Sequence, residues 1–335
     1  MTGAAPSPLS WVGWALPPGS AAQVRPRLLA RELADDVLSD VRVTYHHGST
    51  PGAADGRTVR LGPGQLVRRA EVRGAGAVLS PVLLRALGHA ARWIDLYDDW
   101  ALAPDVHPVL RALAAQGCRA LRRQGAPGAV VTVNSRYLQA RLWPLPTEVV
   151  PNGVDPRLAD VPLTGDDRPR LLVMGRFLRG RTDPALLRAA LDADAVAEVL
   201  VVGAEPGGAV DAAARAADPR RVVVLPTTPL VDLASRCGPR TVALVPHLVR
   251  DYTMSQDLMK VYQFLALGLP TVVPRALWPP AAPLDHGHLL EVGVSLDDLL
   301  RHALRRDPPS AGWRREFAEA HSWRRRADQV RGLLT

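Results

Sequence analysis

The sequence has very little lysine and cysteine. Among 41 lysine and arginine residues, only Lys260 is a lysine. An arginine-rich coding bias would make lysine rare, but it does not explain why one lysine is kept within the segment SQDLMKVYQFLALGLPTVV. Cys118 and Cys237 are far apart and form no Cys-x-x-Cys pair. We therefore expect two reduced, partly buried thiols, and neither a disulfide framework nor a zinc site.

Long apolar runs and targeting signals are also missing. No run reaches the ~20 apolar residues that a membrane-spanning helix needs. The N-terminus MTGAAPSPLSWVGW has no basic region ahead of a hydrophobic core. These absences predict a cytoplasmic protein without a signal peptide or a transmembrane segment, and they leave peripheral contact with a membrane surface open.

The net charge of +8 raises the question of nucleic-acid binding. The arginines are spread along the chain, and the sequence has no helix-turn-helix glycine turn, zinc spacing or RNP-type aromatic motif. A basic protein that binds small anionic ligands fits the charge equally well. We predict no nucleic-acid partner and keep a basic nucleic-acid-binding protein as a minor alternative.

A regular alternation of strands and helices fills the second half of the chain. Apolar runs of strand length (RLLVMG, AEVLVVG, RVVVLP, TVALVP, PTVVP) alternate with helix-like segments (DPALLRAALDAD, AVDAAARAAD, PLVDLASRC, QDLMKVYQFLALG). Near-continuous apolar strands separated by helices indicate a parallel sheet that is covered on both faces. The first half shows the same α/β pattern less cleanly, with strand candidates such as LSWVGWAL, VRVTYHH, GAVLSP, ARWIDLY and AVVTVNS.

A length of 335 residues favours two domains. Residues 158–170 (LADVPLTGDDRPR) have the composition of a linker. We therefore predict an N-terminal α/β domain over 1–160, a second one over 161–310, and a C-terminal helical segment over 311–335 that packs back on the first domain. Ligands of such doubly wound sheets bind at the carboxyl ends of the strands.

Arginines follow one of these strand ends. In MGRFLRGRTDPALL the strand ends at Gly175, and Arg176, Arg179 and Arg181 precede the next helix. Arginines beside a helix N-terminus suit a phosphate or a diphosphate.

The lone lysine lies in a predicted helix. Thr253-Met-Ser-Gln256 reads as a capping box, so we expect the helix to begin there and to carry Lys260 in its second turn. Helical side chains lean toward the N-terminus of their helix. The amine would therefore reach the helix start, where free N–H groups and the helix dipole attract anions. An ammonium is a compact point charge that fits a close-packed turn better than a planar guanidinium.

Three motifs in this order (VVPNGVD, GRFLRGR and DLMKVYQFLALGLPTVV) resemble those of the retaining GT-B glycosyltransferases of the family-4 type, also called glycosyl transferases group 1. Trp323, in a terminal helix, fits the same pattern. The resemblance extends over residues 90–335. It implies an α/β protein of GT-B architecture, with two Rossmann-like doubly wound domains and a cleft between them.

The resemblance also implies roles for the basic residues. In that family the first arginine after the strand glycine and a second basic residue contact the donor diphosphate, which assigns Arg176 and Arg181 to this task. A subgroup carries a lysine three residues before the ribose-binding position, and Lys260 matches that lysine. We take these three residues as the catalytic group.

The resemblance also implies a group of donor-binding residues, some of which differ from the family pattern. Gly175 is the strand-end glycine, and Gly19 and Ser20 stand in place of the glycine-rich first loop near the donor phosphates. Many members have two glutamates where this chain has Ser255 and Gln263. An amide still accepts a hydrogen bond through its oxygen.

Candidates for contact with the sugar or the acceptor come from the first half. IDLYDDWAL places Asp95, Asp98 and Asp99 at a strand end, and Asn152 lies at the predicted domain boundary. Helix capping by Asp98 or Asp99 is the competing interpretation.

The sequence thus predicts transfer of a sugar from a nucleotide-diphosphate donor to a small-molecule or glycan acceptor, with retention of configuration. Neither a metal nor a cofactor is required, since cations surround the diphosphate, and UDP is favoured over GDP or dTDP. A non-catalytic sugar-binding protein or a cyclitol-coupling pseudo-glycosyltransferase of the same fold remains the alternative.

Overall fold

The computed structural model describes residues 8–14, 25–34, 36–47, 58–61, 75–80, 82–84, 91–178 and 180–335. The chain divides into two compact units. The first contains Met1–Asn152 together with Trp323–Thr335, and the second contains Gly153–Ser322.

The first unit is built on a parallel sheet. Its strands are β1 (Leu9–Trp14), β2 (Leu38–His47), β3 (Thr58–Leu61), β4 (Ala77–Leu79), β5 (Trp93–Leu96), β6 (Val130–Val133) and β7 (Glu148–Val149). They lie in the order β3-β2-β1-β4-β5-β6-β7, and all neighbours are parallel. The helices α1 (Arg25–Glu32), α2 (Pro108–Gln124), α3 (Arg136–Leu142) and α11 (Trp323–Leu334) accompany it.

The second unit repeats this plan. Its strands are β8 (Arg170–Met174), β9 (Glu198–Val202), β10 (Val222–Leu225), β11 (Thr241–Leu244), β12 (Thr271–Pro274) and β13 (Gly287–Leu290). The order is β10-β9-β8-β11-β12-β13, again all parallel. Numbered within the unit, this is 3-2-1-4-5-6, the Rossmann order. Its helices are α4 (Pro184–Asp192), α5 (Ala209–Ala216), α6 (Leu230–Leu233), α7 (Asp251–Met254), α8 (Met259–Leu267), α9 (Leu296–Arg305) and α10 (Ala311–Ala320).

Both faces of the second sheet are covered, as the apolar strands predict. Leu171 and Val173 of β8 pack into one hydrophobic cluster with α4 and α9, whereas Leu172 packs into the other cluster, with α8 and α10. Successive strand residues point to opposite faces, so each strand must be apolar along its whole length. The doubly wound α/β prediction is confirmed.

The division between the units differs from the predicted boundary at 160/161. Leu158 and Ala159 lie in a 3₁₀ helix (Pro156–Asp160) and pack in the same cluster as Phe317 of α10. This stretch, predicted in part as linker, therefore belongs to the core of the second unit, and so does α10.

The last helix returns to the first unit. Arg331 of α11 donates hydrogen bonds to the carbonyl of Glu32 at 2.7 Å and to Asp36 at 2.5 Å. Among the helices of the described ranges, none is long and apolar enough to cross a membrane.

Candidate functional site

The second sheet reverses its strand order between β8 and β11. Gly175 follows β8, and His247 comes shortly after β11, so both lie at the carboxyl edge of the sheet at this reversal. Open α/β sheets bind their ligands at such a point, because neighbouring connections run to opposite faces there and leave a crevice.

Gly175 and the lone lysine are in direct contact. Gly175 has a φ of +152°, and a Cβ placed on it would collide with the Nζ of Lys260. Any side chain at this position would displace the amine. Lys260 as a whole is half-buried. Its amine packs against Gly175 at the end of β8.

The helix that carries Lys260 does not begin where the capping box predicts. Thr253 lies in the short helix α7, the chain is extended at Leu258 (φ −71°, ψ 91°), and α8 begins at Met259. A hydrogen bond spans this break, with the hydroxyl of Tyr262 donating to the buried carboxylate of Asp257 at 3.0 Å. Lys260 therefore lies in the first turn of α8 and not in the second turn of a longer helix.

Arg181 is held beside this amine by backbone pairing. The segment 181–183 runs antiparallel to 246–248, with Leu248 N–H donating to the Arg181 carbonyl at 2.8 Å and a bridge between Thr182 and His247. Its guanidinium lies over the ring of Tyr252, 5.3 Å from the centroid, and Nη2 donates to the Tyr252 hydroxyl at 2.8 Å. The Nε of Arg181 is buried and has no hydrogen-bond partner among the described residues.

The charges at this edge are uncompensated. Burial, and then the charge of Arg181, lower the pKa of Lys260 to about 8. At neutral pH the amine is still mostly protonated. Within the described ranges, no carboxylate lies within 4 Å of Lys260 or Arg181. Two half-buried cations that have no carboxylate partner among the described residues favour an anionic ligand.

His247 is a member of this cluster that the sequence did not reveal. It is 7% exposed, and its Nδ1 has no hydrogen-bond partner in the described part of the chain. Burial, then the charge of Lys260, then that of Arg181 hold the pKa of His247 well below its ordinary value. A neutral imidazole adds a hydrogen-bonding group without adding charge. The signal that could have identified it is a histidine three residues after an apolar strand at the reversal point.

The remaining predicted donor residues differ in position. Arg176 directly follows Gly175 and is exposed. Ser255 is fully buried, and its hydroxyl donates to the Tyr252 carbonyl at 2.6 Å. Gln263 is half-buried on α8, one turn after Lys260. Gly19, Ser20 and Arg179 lie outside the described residues.

In the first unit, Asp95 and Asn152 are parts of a buried network. Arg25, at the start of α1, donates to both carboxylate oxygens of Asp95 at 2.8 and 2.9 Å and to the amide oxygen of Asn152 at 3.3 Å. Thr132 donates to the same carboxylate at 2.6 Å, and Arg326 donates to the Asn152 carbonyl at 3.1 Å. These contacts tie α1, β5, β6 and α11 together.

Asp98 and Asp99 lie in the turn after β5. Asp98 has a φ of +57° and accepts from the Asn134 amide at 3.2 Å. Asp99 accepts from Arg141 at 3.2 Å and from the Ala101 N–H at 3.1 Å. Neither caps α2, since the N-cap of that helix is His107.

Metal ligands and reactive thiols do not add to the site. Among the described residues, no three His, Cys, Asp or Glu side chains are grouped so as to hold a metal ion. Cys118 and Cys237 are free thiols, and burial raises their pKa values to about 12 and about 11. Thiols with such pKa values are protonated at neutral pH and are poor nucleophiles.

No protein-family model matches the chain, and no curated protein matches it in sequence. Solved structures do match over nearly its whole length. Sucrose-phosphate synthase from Thermosynechococcus elongatus superposes with a TM-score of 0.65 at 16% identity, covering 97% of this chain and 98% of that one. HepE from Anabaena, in complex with UDP and glucose, gives 0.64 at 13% identity, with 97% and 99% coverage.

A third match is an alpha-glucosyltransferase in complex with UDP and a 13-mer DNA, with a TM-score of 0.60, 7% identity, and 97% and 99% coverage. At identities this low, structural likeness establishes the fold. With two parallel α/β units, one after the other along the chain, the protein has the GT-B fold of the glycosyltransferases.

Proposed function

We propose that this protein transfers a sugar from a nucleotide-diphosphate sugar to an acceptor hydroxyl. The observation that carries the proposal is the cluster of Lys260, Arg181 and His247 around Gly175, at the reversal of strand order in the second sheet. Two cations with no carboxylate partner among the described residues, together with a neutral imidazole, match the charge and the hydrogen-bonding needs of a diphosphate.

The chemistry follows from where negative charge develops. The bond between the anomeric carbon and the diphosphate oxygen breaks, a bond from that carbon to the acceptor oxygen forms, and the acceptor proton passes to the leaving diphosphate. Lys260 and Arg181 stabilise the charge that grows on the leaving group, and exposed Arg176 contributes a further guanidinium once a donor is bound. Fixed cations do the work that a bound Mg²⁺ would do, so we propose that no metal is required.

Retention of configuration and a uridine base are the finer parts of the proposal. Retention rests on the resemblance to family-4 enzymes. The choice of uridine is supported by HepE, whose structures hold UDP or UDP-glucose.

The alternative is a non-catalytic or cyclitol-coupling protein of the same fold. It is favoured by one observation: where many family members have two glutamates, this chain has the fully buried Ser255 and the amide Gln263. Measured turnover of a donor with an acceptor panel separates the two functions.

A thermal-shift screen with UDP, GDP, dTDP and their sugars, each measured with and without EDTA, tests the donor site. A ligand that binds only the folded state raises the unfolding temperature. We expect UDP to give the largest shift and EDTA to leave it unchanged. The proposal fails if no nucleotide shifts the unfolding temperature, and its metal-free form fails if the shift appears only after Mg²⁺ or Mn²⁺ is added.

Gly175→Ala is expected to weaken UDP binding by about tenfold or more, because the new Cβ takes the place of the Lys260 amine and removes a charge-assisted contact. The matched control is Gly207→Ala. Gly207 also has a positive φ (+74°), but a Cβ added there would meet no atom of the described residues within 4 Å, so this variant reports backbone strain alone. Titration calorimetry measures both variants, and equal UDP affinities would contradict this role for Gly175.

A further inference from the structure

An exposed tryptophan stands on the first unit, in the loop that follows α3. Trp143 is 74% exposed, and Pro144 and Pro146 beside it are exposed as well. The loop 143–147 lies between α3 and β7, so it emerges at the amino edge of the sheet, opposite the carboxyl edge at which such sheets bind ligands.

Two side-chain hydrogen bonds help to hold this loop in place. Arg122 of α2 donates from Nε to the Trp143 carbonyl at 3.0 Å, and the Gln139 amide donates to the Thr147 carbonyl at 2.7 Å. The exposed indole therefore belongs to a loop that hydrogen bonds fix to α2 and α3. Between α3 and the loop lies an open cavity of about 510 Å³, lined by Arg136, Gln139 and Trp143 among others.

Exposed arginines lie on the two helices, α2 and α3, that contact or precede the loop. Arg119, Arg122 and Arg123 share one exposed face of α2, since they are three and four residues apart, and Arg136 lines the cavity beside Trp143. In the described part of the chain, none of the four has a carboxylate within 4 Å. We call Trp143, Pro144, Arg119, Arg122, Arg123 and Arg136 the Trp143 patch.

We infer that the Trp143 patch docks the protein on an anionic membrane surface. An exposed indole followed by prolines can enter the interface between lipid headgroups and acyl chains, where tryptophan is favoured. The arginines around it attract anionic headgroups, and their long stems let the charges stay at headgroup level. Charge complementarity thus selects the partner, and attachment at the amino edge of the sheet keeps the carboxyl edge of this unit away from the membrane.

Flotation of the full chain with lipid vesicles tests this inference. We expect binding to vesicles of phosphatidylcholine with a quarter of phosphatidylglycerol, little binding to phosphatidylcholine alone, and release at high salt, because surface charges are screened there. Arg122→Glu with Arg123→Glu should weaken binding by about tenfold or more. Trp143→Ser should weaken binding even at low salt.

The control is Arg188→Glu with Arg220→Glu, which makes the same change of net charge at two exposed arginines of the second unit. If the patch and control pairs weaken binding equally, or if the parent does not bind anionic vesicles, the inference is wrong. Patch-dependent retention on an immobilised acidic polysaccharide without vesicle binding would also overturn it, and would assign the patch to a saccharide. The UDP-induced thermal shift should be the same in all variants. The result of the vesicle-binding test is therefore independent of the proposed function.

Discussion

Replacement of Lys260 by alanine is expected to lower the transfer rate by roughly 10²–10³-fold, the usual cost of losing one group that stabilises developing negative charge. Lys260→Arg should not restore the rate. The amine packs directly against the backbone of Gly175, and we expect that a wider planar guanidinium does not reproduce this contact. Such a steric limit would account for a lysine at this position in a chain that otherwise uses arginine.

The control for the loss of charge is Arg188→Ala, which removes one exposed cation from α4 in the same unit. It should leave both kcat and KM near the parent values. Unchanged unfolding temperatures for both Lys260 variants would show that the loss is not a loss of folding. Full activity of Lys260→Arg would contradict a point contact in a packed turn.

The second large effect is expected on stability. Asp95→Ala removes one partner of the buried pair with Arg25, whose side chain is 2% exposed, and leaves an uncompensated guanidinium in the core of the first unit. Breaking a buried ion pair in this way typically costs about 3–5 kcal/mol. Urea unfolding followed by circular dichroism should show this loss.

Glu291→Ala serves as the comparison. Glu291 pairs with Arg275, but both side chains are at least half exposed, so its removal should cost at most about 1 kcal/mol. If Asp95→Ala unfolds at the same urea concentration as the parent, Asp95 does not stabilise the unit. Its role as a contact to the sugar or the acceptor, which the sequence suggested, would then regain weight.

Five of the six strands of the second sheet, β8 to β12, could be predicted from the sequence because they are almost continuously apolar. RLLVMG and TVALVP became β8 and β11, within two residues at each end. A helix cap is a signal of the same local kind: Ser135 caps α3, and its hydroxyl accepts from the Leu138 N–H at 3.2 Å. Such features depend on neighbouring residues only. The short strands β3 and β13 were missed because their sequences carry too few apolar residues to stand out.

The candidate site could be predicted only in part, because its main contacts join residues that are far apart in the sequence. Gly175 and Lys260 are 85 positions apart, and their contact depends on how β8 and α8 pack. Arg25 and Asp95 are 70 positions apart. Their pairing buries Asp95, which the sequence suggested as a contact to the sugar or the acceptor. The break before α8, which a hydrogen bond from Tyr262 to Asp257 spans, was hidden by the capping-box pattern at Thr253.

Amine labelling tests the central claim most directly, because Lys260 is the only side-chain amine in the protein. A pKa lowered to about 8 leaves a substantial neutral fraction at mildly alkaline pH, so the amine should react with a succinimidyl ester under mild conditions. The N-terminal amine is the internal control. Peptide mass analysis should show that saturating UDP protects Lys260 while the N-terminus reacts as before. Labelling of Lys260 that is the same with and without nucleotide would contradict the diphosphate site proposed for this protein.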